Sequence, residues 1–162
     1  MSCFRICILA LAAALAAPLA TANENDPYSK AIETYGCGDY PKAFNLFMPL
    51  AQQGMAVAEY QIGLMTEQGQ GTAANMSRAF EWYTKAAEKG VADAYYALGQ
   101  LYSKGEVVAK DPAQAHALFD LAVKGGNKVA KDWLRMEAER LDAIGLAKSR
   151  EYAQQWLARA KN

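Results

Sequence analysis

The chain of 162 residues sets 17 lysines and arginines against 17 aspartates and glutamates, and 21% of its residues are charged. That neutrality argues against a dedicated nucleic-acid binder, which needs a basic surplus gathered on one face, while 52% apolar residues point to one globular domain with a real core. One histidine and three cysteines are too few for a self-contained zinc or iron–sulfur site, so neither a metal nor a cofactor is expected.

Residues 1–22 read as a cleavable secretory signal: Arg5, then the apolar run ICILALAAALAAPLA, then Ala20-Thr21-Ala22 before Asn23. The run is too short and too weakly flanked for a stop-transfer helix, so no stable membrane insertion is expected after cleavage. Cys3 and Cys7 would leave with the signal. The remaining domain, 23–162, then holds one thiol, Cys37, which rules out a disulfide framework within the chain. An exported protein is expected, periplasmic in a Gram-negative cell or else secreted.

From Pro27 onward the chain repeats itself. Gly54, Gly90 and Gly126 stand 36 residues apart, as do Asp39, Asn75 and Asp111, then Ala43, Ala79 and Ala115, then Phe47, Tyr83 and Phe119, then Ala58, Ala94 and Ala130. A fixed period of this length signals stacked supersecondary units, here approximately 27–54, 55–90, 91–126 and 127–160. Asp39, Asn75 and Asp111 are predicted helix N-caps, because a short acceptor side chain can take a free backbone N–H, and Pro112 suits the first helical position. The alanine and the aromatic ring, four and eight residues on, form an inward stripe. The glycines at 54, 90 and 126 fit the left-handed position that ends a helix.

The first helix of each pair carries Ala58, Ile62 and Met65, then Ala94, Leu98 and Leu101. Gly63 and Gly99 inside these helices cost about 1 kcal/mol each relative to alanine, so a close approach of the partner helix is expected there. In the last unit Ala130, Leu134, Ala138 and Leu141 share a face, and Ser149, Ala153 and Leu157 stand as cap, alanine and large apolar residue. Ser149 lies 38 residues beyond Asp111, the drift expected of a capping unit.

The strings AEYQIGLMTEQGQGTAANMSRAFEWYTKAAEKG (Ala58 to Gly90) and AYYALGQLYSKGEVVAKDPAQAHALFDLAVKG (Ala94 to Gly125) resemble Sel1-like repeats. These are similar to tetratricopeptide repeats with a longer loop in each hairpin, written L-G-x-x-Y-x-x-G-x-G-V-x-x-D followed by A-x-x-W-Y-x-K-A-A-x-x-G. Thr66 replaces the usual tyrosine that Tyr102 keeps, Val107 replaces the second loop glycine that Gly71 keeps, and Arg135 replaces the helix glycine. The first unit has a shorter turn around Cys37. The resemblance implies an all-α fold, an α-α superhelix (solenoid) of about four antiparallel helix pairs with one concave face.

Candidates for chemistry are few, and no catalytic residue is assigned. His116 occupies the register of Phe44 and Phe80, a core or boundary stripe, and lacks a nucleophile motif; Asp120, four residues on, is expected to pair with it and raise its pKa. Cys37, between two glycines, reads as a small partly buried thiol, with an intermolecular disulfide as the alternative. Gly69 and Gly71 belong to the hairpin turn and are not followed by the Lys-Ser/Thr of a phosphate loop. Glu137 and Glu139 point to different sides of a helix.

What remains is a surface. Ligands of tetratricopeptide-like stacks lie against the first helix of each pair, and that register gives Tyr28, Ile32 and Tyr35 in unit one. It continues with Val57, Tyr60, Leu64 and Glu67 in unit two, and with Asp93, Tyr96, Gln100 and Ser103 in unit three. The expectation is a non-enzymatic helical-repeat adaptor or scaffold for a protein or peptide partner, with no nucleic acid bound. The alternatives are a secreted penicillin-binding or β-lactamase-like Sel1-repeat enzyme, disfavoured because those carry a cysteine pair per repeat, and an oligomerisation module using an exposed Trp156 and Tyr152.

Overall fold

A computed structural model describes residues 26–160; the expected signal, residues 1–22, lies outside the described residues. Those described form eight helices and no strand: α1 (Pro27–Gly36), α2 (Tyr40–Gln52), α3 (Ala56–Gln68), α4 (Met76–Ala87), α5 (Ala92–Lys104), α6 (Pro112–Lys124), α7 (Ala130–Ala138) and α8 (Ala143–Arg159). The all-α superhelix of repeats read from the sequence is the fold observed.

The second helix of each of the first three units starts at its predicted cap. Asp39 accepts the N–H of Lys42 at 3.3 Å, Asn75 that of Arg78 at 3.0 Å, and Asp111 those of Ala113 and Gln114, both at 3.0 Å. Each such cap contributes about 1 kcal/mol relative to alanine. At the other end Gly54, Gly90 and Gly126 take φ of +85°, +83° and +98°, a conformation that costs glycine nothing. The turn they allow lets the N–H groups of Met55, Val91 and Asn127 reach back to the carbonyls of Leu50, Ala86 and Ala122 at 3.0, 3.2 and 2.9 Å. One short turn thus satisfies orphan carbonyls of the finished helix and sets the direction of the next.

Within units two and three a longer loop joins the helices. A backbone bond closes it in both: the N–H of Asn75 bonds the carbonyl of Thr66 at 2.9 Å, and that of Asp111 the carbonyl of Tyr102 at 3.1 Å. Threonine in place of tyrosine at 66 therefore leaves the loop intact.

Helix packing accounts for the interior glycines. A Cβ on Gly63 would lie 2.7 Å from the Tyr83 ring, and one on Gly99 would lie 2.7 Å from the Phe119 ring. Their absence lets those rings settle fully inside, beside the buried Ala79 and Ala115, so the propensity cost is offset by burial of a large ring. Residues from α1 to α3 form one buried cluster and residues from α4 to α8 another.

The fourth unit departs from the expected register. Asp142, not Ser149, caps α8, accepting the N–H of Gly145 at 2.8 Å. Only residues 139–142 separate α7 from α8, so α8 starts early and Ser149 falls inside it, buried. One residue of rotation follows: Trp156 is 5% exposed and Leu157 46%. The Trp156 ring meets Tyr95 edge-on at 6.0 Å, which overturns the exposed Trp156 patch, and the Tyr152 hydroxyl donates to Asp111 at 3.1 Å. Glu137 occupies the core position held by Met65 and Leu101; Ser103 Oγ donates to its carboxylate, and Arg140 does so at 2.7 Å.

Candidate interaction surface

The rows expected on the first helices are built on the buried rings beneath them. Tyr28 packs edge-on against Phe47 with centroids 5.7 Å apart, Tyr60 lies on Tyr83 at 5.8 Å, and Tyr96 on Phe119 at 5.9 Å. The aromatic residue that anchors the second helix therefore also supports the half-buried tyrosine of the first. Ile32 and Val57 are exposed by 39% and 43%, while Tyr35 and Leu64 are half-buried.

Hydrogen bonds hold the polar members. Tyr35 donates its hydroxyl proton to Gln70 Oε1 at 2.9 Å, Gln100 Nε2 donates to the Tyr96 hydroxyl at 3.0 Å, and Asn127 Nδ2 donates to Asp93 at 2.7 Å. Tyr83 donates to Glu67 at 2.5 Å. The Tyr60 hydroxyl is pushed up to about 12, first by burial and then by the carboxylates of Asp93 and Glu67, with Tyr35 and Tyr96 adding to the effect. Tyr35, Tyr60, Glu67, Asp93 and Tyr96, drawn from three units, thus share one electrostatic neighbourhood. Burial raises Tyr28 as well, partly eased by its hydrogen bond with Gln61.

Ser103 does not belong to this surface. It is 6% exposed and turned inward onto Glu137, because the polar core residue of α7 needs a donor. Conversely, α7 continues the rows that the sequence reading ended at unit three. Val129, Asp132 and Met136 follow Asp93, Tyr96 and Gln100 at the same 36-residue spacing, and Val129 and Met136 are 62% and 39% exposed. With Trp133, which stacks on Phe119 at 5.7 Å, Asp132 and Met136 line a shallow hollow of about 280 Å³. Extending the period by one unit was the signal that finds them.

His116 has a different environment from the one expected. Burial lowers its pKa, against the weaker upward pull of Asp120 and Glu137. Its Nδ1 lies 2.8 Å from Ser149 Oγ, and Asp120 is engaged by Lys124 at 2.6 Å. The contact ties α6 to α8 beside a hollow of about 470 Å³ that Arg150 and Leu157 also line. Cys37 is exposed in the first turn. Among the described residues no group of three or more His, Cys, Asp or Glu is placed to hold a metal ion, and no helix is long and apolar enough to cross a membrane.

Comparison with known proteins gives this geometry a family. The Sel1 repeat model matches residues 56–91 and 92–127. A protective antigen of uropathogenic Escherichia coli strains with an SLR fold superposes at a TM-score of 0.76 with 25% identity, over 85% of this chain and 31% of that one. A Sel1 repeat protein from Oxalobacter formigenes superposes at 0.66 with 30% identity, over 82% of this chain and 54% of that one. The chain thus spans about a third and about half of the length of these two proteins. No curated protein matches it. Sel1 repeats are in general protein-interaction modules, and scaffolds built from them are in general non-catalytic. Two consecutive repeats in the matched register, and the same fold in both neighbours, make the chain a Sel1-like repeat protein.

Proposed function

We propose that the protein is a non-enzymatic adaptor that binds a protein or peptide segment along the concave face formed by α1, α3 and α5. The observation that carries this reading is the row Tyr28, Tyr60 and Tyr96: each ring rests on a buried aromatic and keeps one side half-open to solvent. Apolar and hydrogen-bonding neighbours flank it, Ile32 and Val57 exposed and Leu64 and Gln100 half-buried. Rigid amphipathic rings of this kind bind with little loss of side-chain freedom, and repeat stacks present them as an extended surface. The signal-like residues 1–22 support export, to the periplasm of a Gram-negative cell or beyond it as a secreted protein.

The test is photocrosslinking in living cells, with a photoreactive residue at Gln61 on the binding side or at Glu81 on α4. Adducts of defined mass from the Gln61 position, lost when Leu64→Arg and Gln100→Glu are added, support the reading. The same adducts from both positions, or adducts unchanged by the double substitution, overturn the concave-face assignment. Nitrocefin turnover that copurifies with the protein through successive columns overturns its non-enzymatic part, and an unprocessed N-terminus in the cytosolic fraction overturns export.

A further inference from the structure

The binding face just proposed has a chemistry of its own, and it differs from the rest of the surface in charge. Its rows on α1, α3 and α5 carry Glu67 and Asp93 and no lysine or arginine, although the whole chain has equal numbers of each sign; in the hollow at α7, by contrast, Arg135 stands beside Asp132 and Glu139 and pairs with Asp132 at 3.9 Å. Among the described residues neither Glu67 nor Asp93 has an ion-pair partner. Tyr83 bonds one oxygen of Glu67 and Asn127 one oxygen of Asp93, which leaves the second oxygen of each carboxylate free to accept.

A second, independent contrast concerns the aromatic rings. Three rings elsewhere lie near cations of the chain itself: Lys85 sits 4.2 Å above Trp82, Lys148 lies 5.4 Å from Tyr152, and Arg159 lies 5.1 Å from Trp156. Among the described residues Tyr28, Tyr35, Tyr60 and Tyr96 have no such cover. Tyr35, Tyr60 and Tyr96 share a neighbourhood with the two carboxylates, and ring faces and carboxylates both favour a cation.

We infer that the stretch of this face carrying Tyr60 and Glu67 on α3 and Asp93 and Tyr96 on α5 seats one arginine or lysine side chain of the bound segment. The inference rests on the reading that this face binds a polypeptide, and it adds what that segment must carry. Ile32, Val57 and Leu64 lie on either side along the helices and suit apolar residues flanking the basic one. The free carboxylate oxygens of Glu67 and Asp93 offer a guanidinium or ammonium head two acceptors, and the tyrosines offer its alkyl stem an apolar surface. Electrostatic complementarity of this kind selects partners more than it adds affinity.

The test is selection of a displayed random nonapeptide library on the full chain. Enriched peptides are expected to share one arginine or lysine position between apolar residues. Synthetic versions with citrulline for that arginine, or norleucine for that lysine, should then bind the unaltered chain about tenfold more weakly. The Glu67→Gln/Asp93→Asn chain should bind charged and neutral peptides alike; glutamine at 67 still accepts from Tyr83, and the melting temperature checks the fold. The citrulline comparison uses the unaltered chain and stands whether or not the variant folds. Peptides without a shared basic position, yet lost on Leu64→Arg, overturn this inference and leave the binding face in place. No enrichment, or enrichment unchanged by Leu64→Arg, overturns the binding face and this inference with it.

Discussion

Units two and three repeat each other closely, whereas the fourth unit keeps their first helix and abandons their loop. In α3 and α5 the rows at 63 and 99 are glycines pressed against an aromatic ring; in α7 the same row holds Arg135, whose side chain is 77% exposed. The rows at 65 and 101 are Met65 and Leu101, both in the core; the corresponding Glu137 is equally buried but engaged by Ser103 and Arg140. The difference teaches that in the last unit the 36-residue register holds through α7 and is lost at the turn that follows it. Once α8 follows α7 after residues 139–142, it docks chiefly against α6, and residues chosen for that contact, Ser149 and Trp156, replace the cap and the stripe.

The largest expected effect separates the two registers of α8. Trp156→Ala should cost about 4 kcal/mol by removing a large buried ring, and Leu157→Ala less than about 0.5 kcal/mol. Chemical denaturation of both variants checks this, and the reverse order would restore the register read from the sequence. Next comes the glycine row. Gly99→Leu should destabilise by about 3 kcal/mol through overpacking against Phe119, while Arg135→Leu should change stability by under about 0.5 kcal/mol. An unchanged melting temperature for Gly99→Leu would contradict the close approach.

The smallest effect concerns His116, which stands in unit three where Phe44 and Phe80 stand in the units before it. Burial lowers its pKa in the folded state below the ordinary 6.5, so the unfolded chain takes up the proton first. Its contribution is fully present above pH 6.5 and is lost as the pH falls through the folded value. The denaturation midpoint should therefore drop between pH 7.5 and pH 5 by more in the native chain than in His116→Phe. Equal drops would show that the imidazole plays no part in joining α6 to α8.

The sequence made legible whatever depends on local backbone. Asp39, Asn75 and Asp111 cap because a short acceptor next to a helix start has few other uses, and Gly54, Gly90 and Gly126 turn because other residues resist positive φ. The tyrosine row was legible for the same reason, since period and helix geometry fix which residues share a face. Ser103 and Trp156 were misplaced because their burial depends on a long-range partner, Glu137 in one case and Tyr95 in the other. The pKa direction of His116 was misjudged likewise: Asp120 is its neighbour on the helix, but burial against α8 outweighs it.

The central claim is that the tyrosine row is the binding face, and hydroxyl-radical footprinting of the captured complex tests it most directly. Oxidation of Tyr28, Tyr60 and Tyr96 should fall when the partner is bound, with Trp82 and Ile144 labelled as in the free protein. Protection confined to Trp82, Ile144 or Leu157, with the tyrosine row still labelled, would contradict the account.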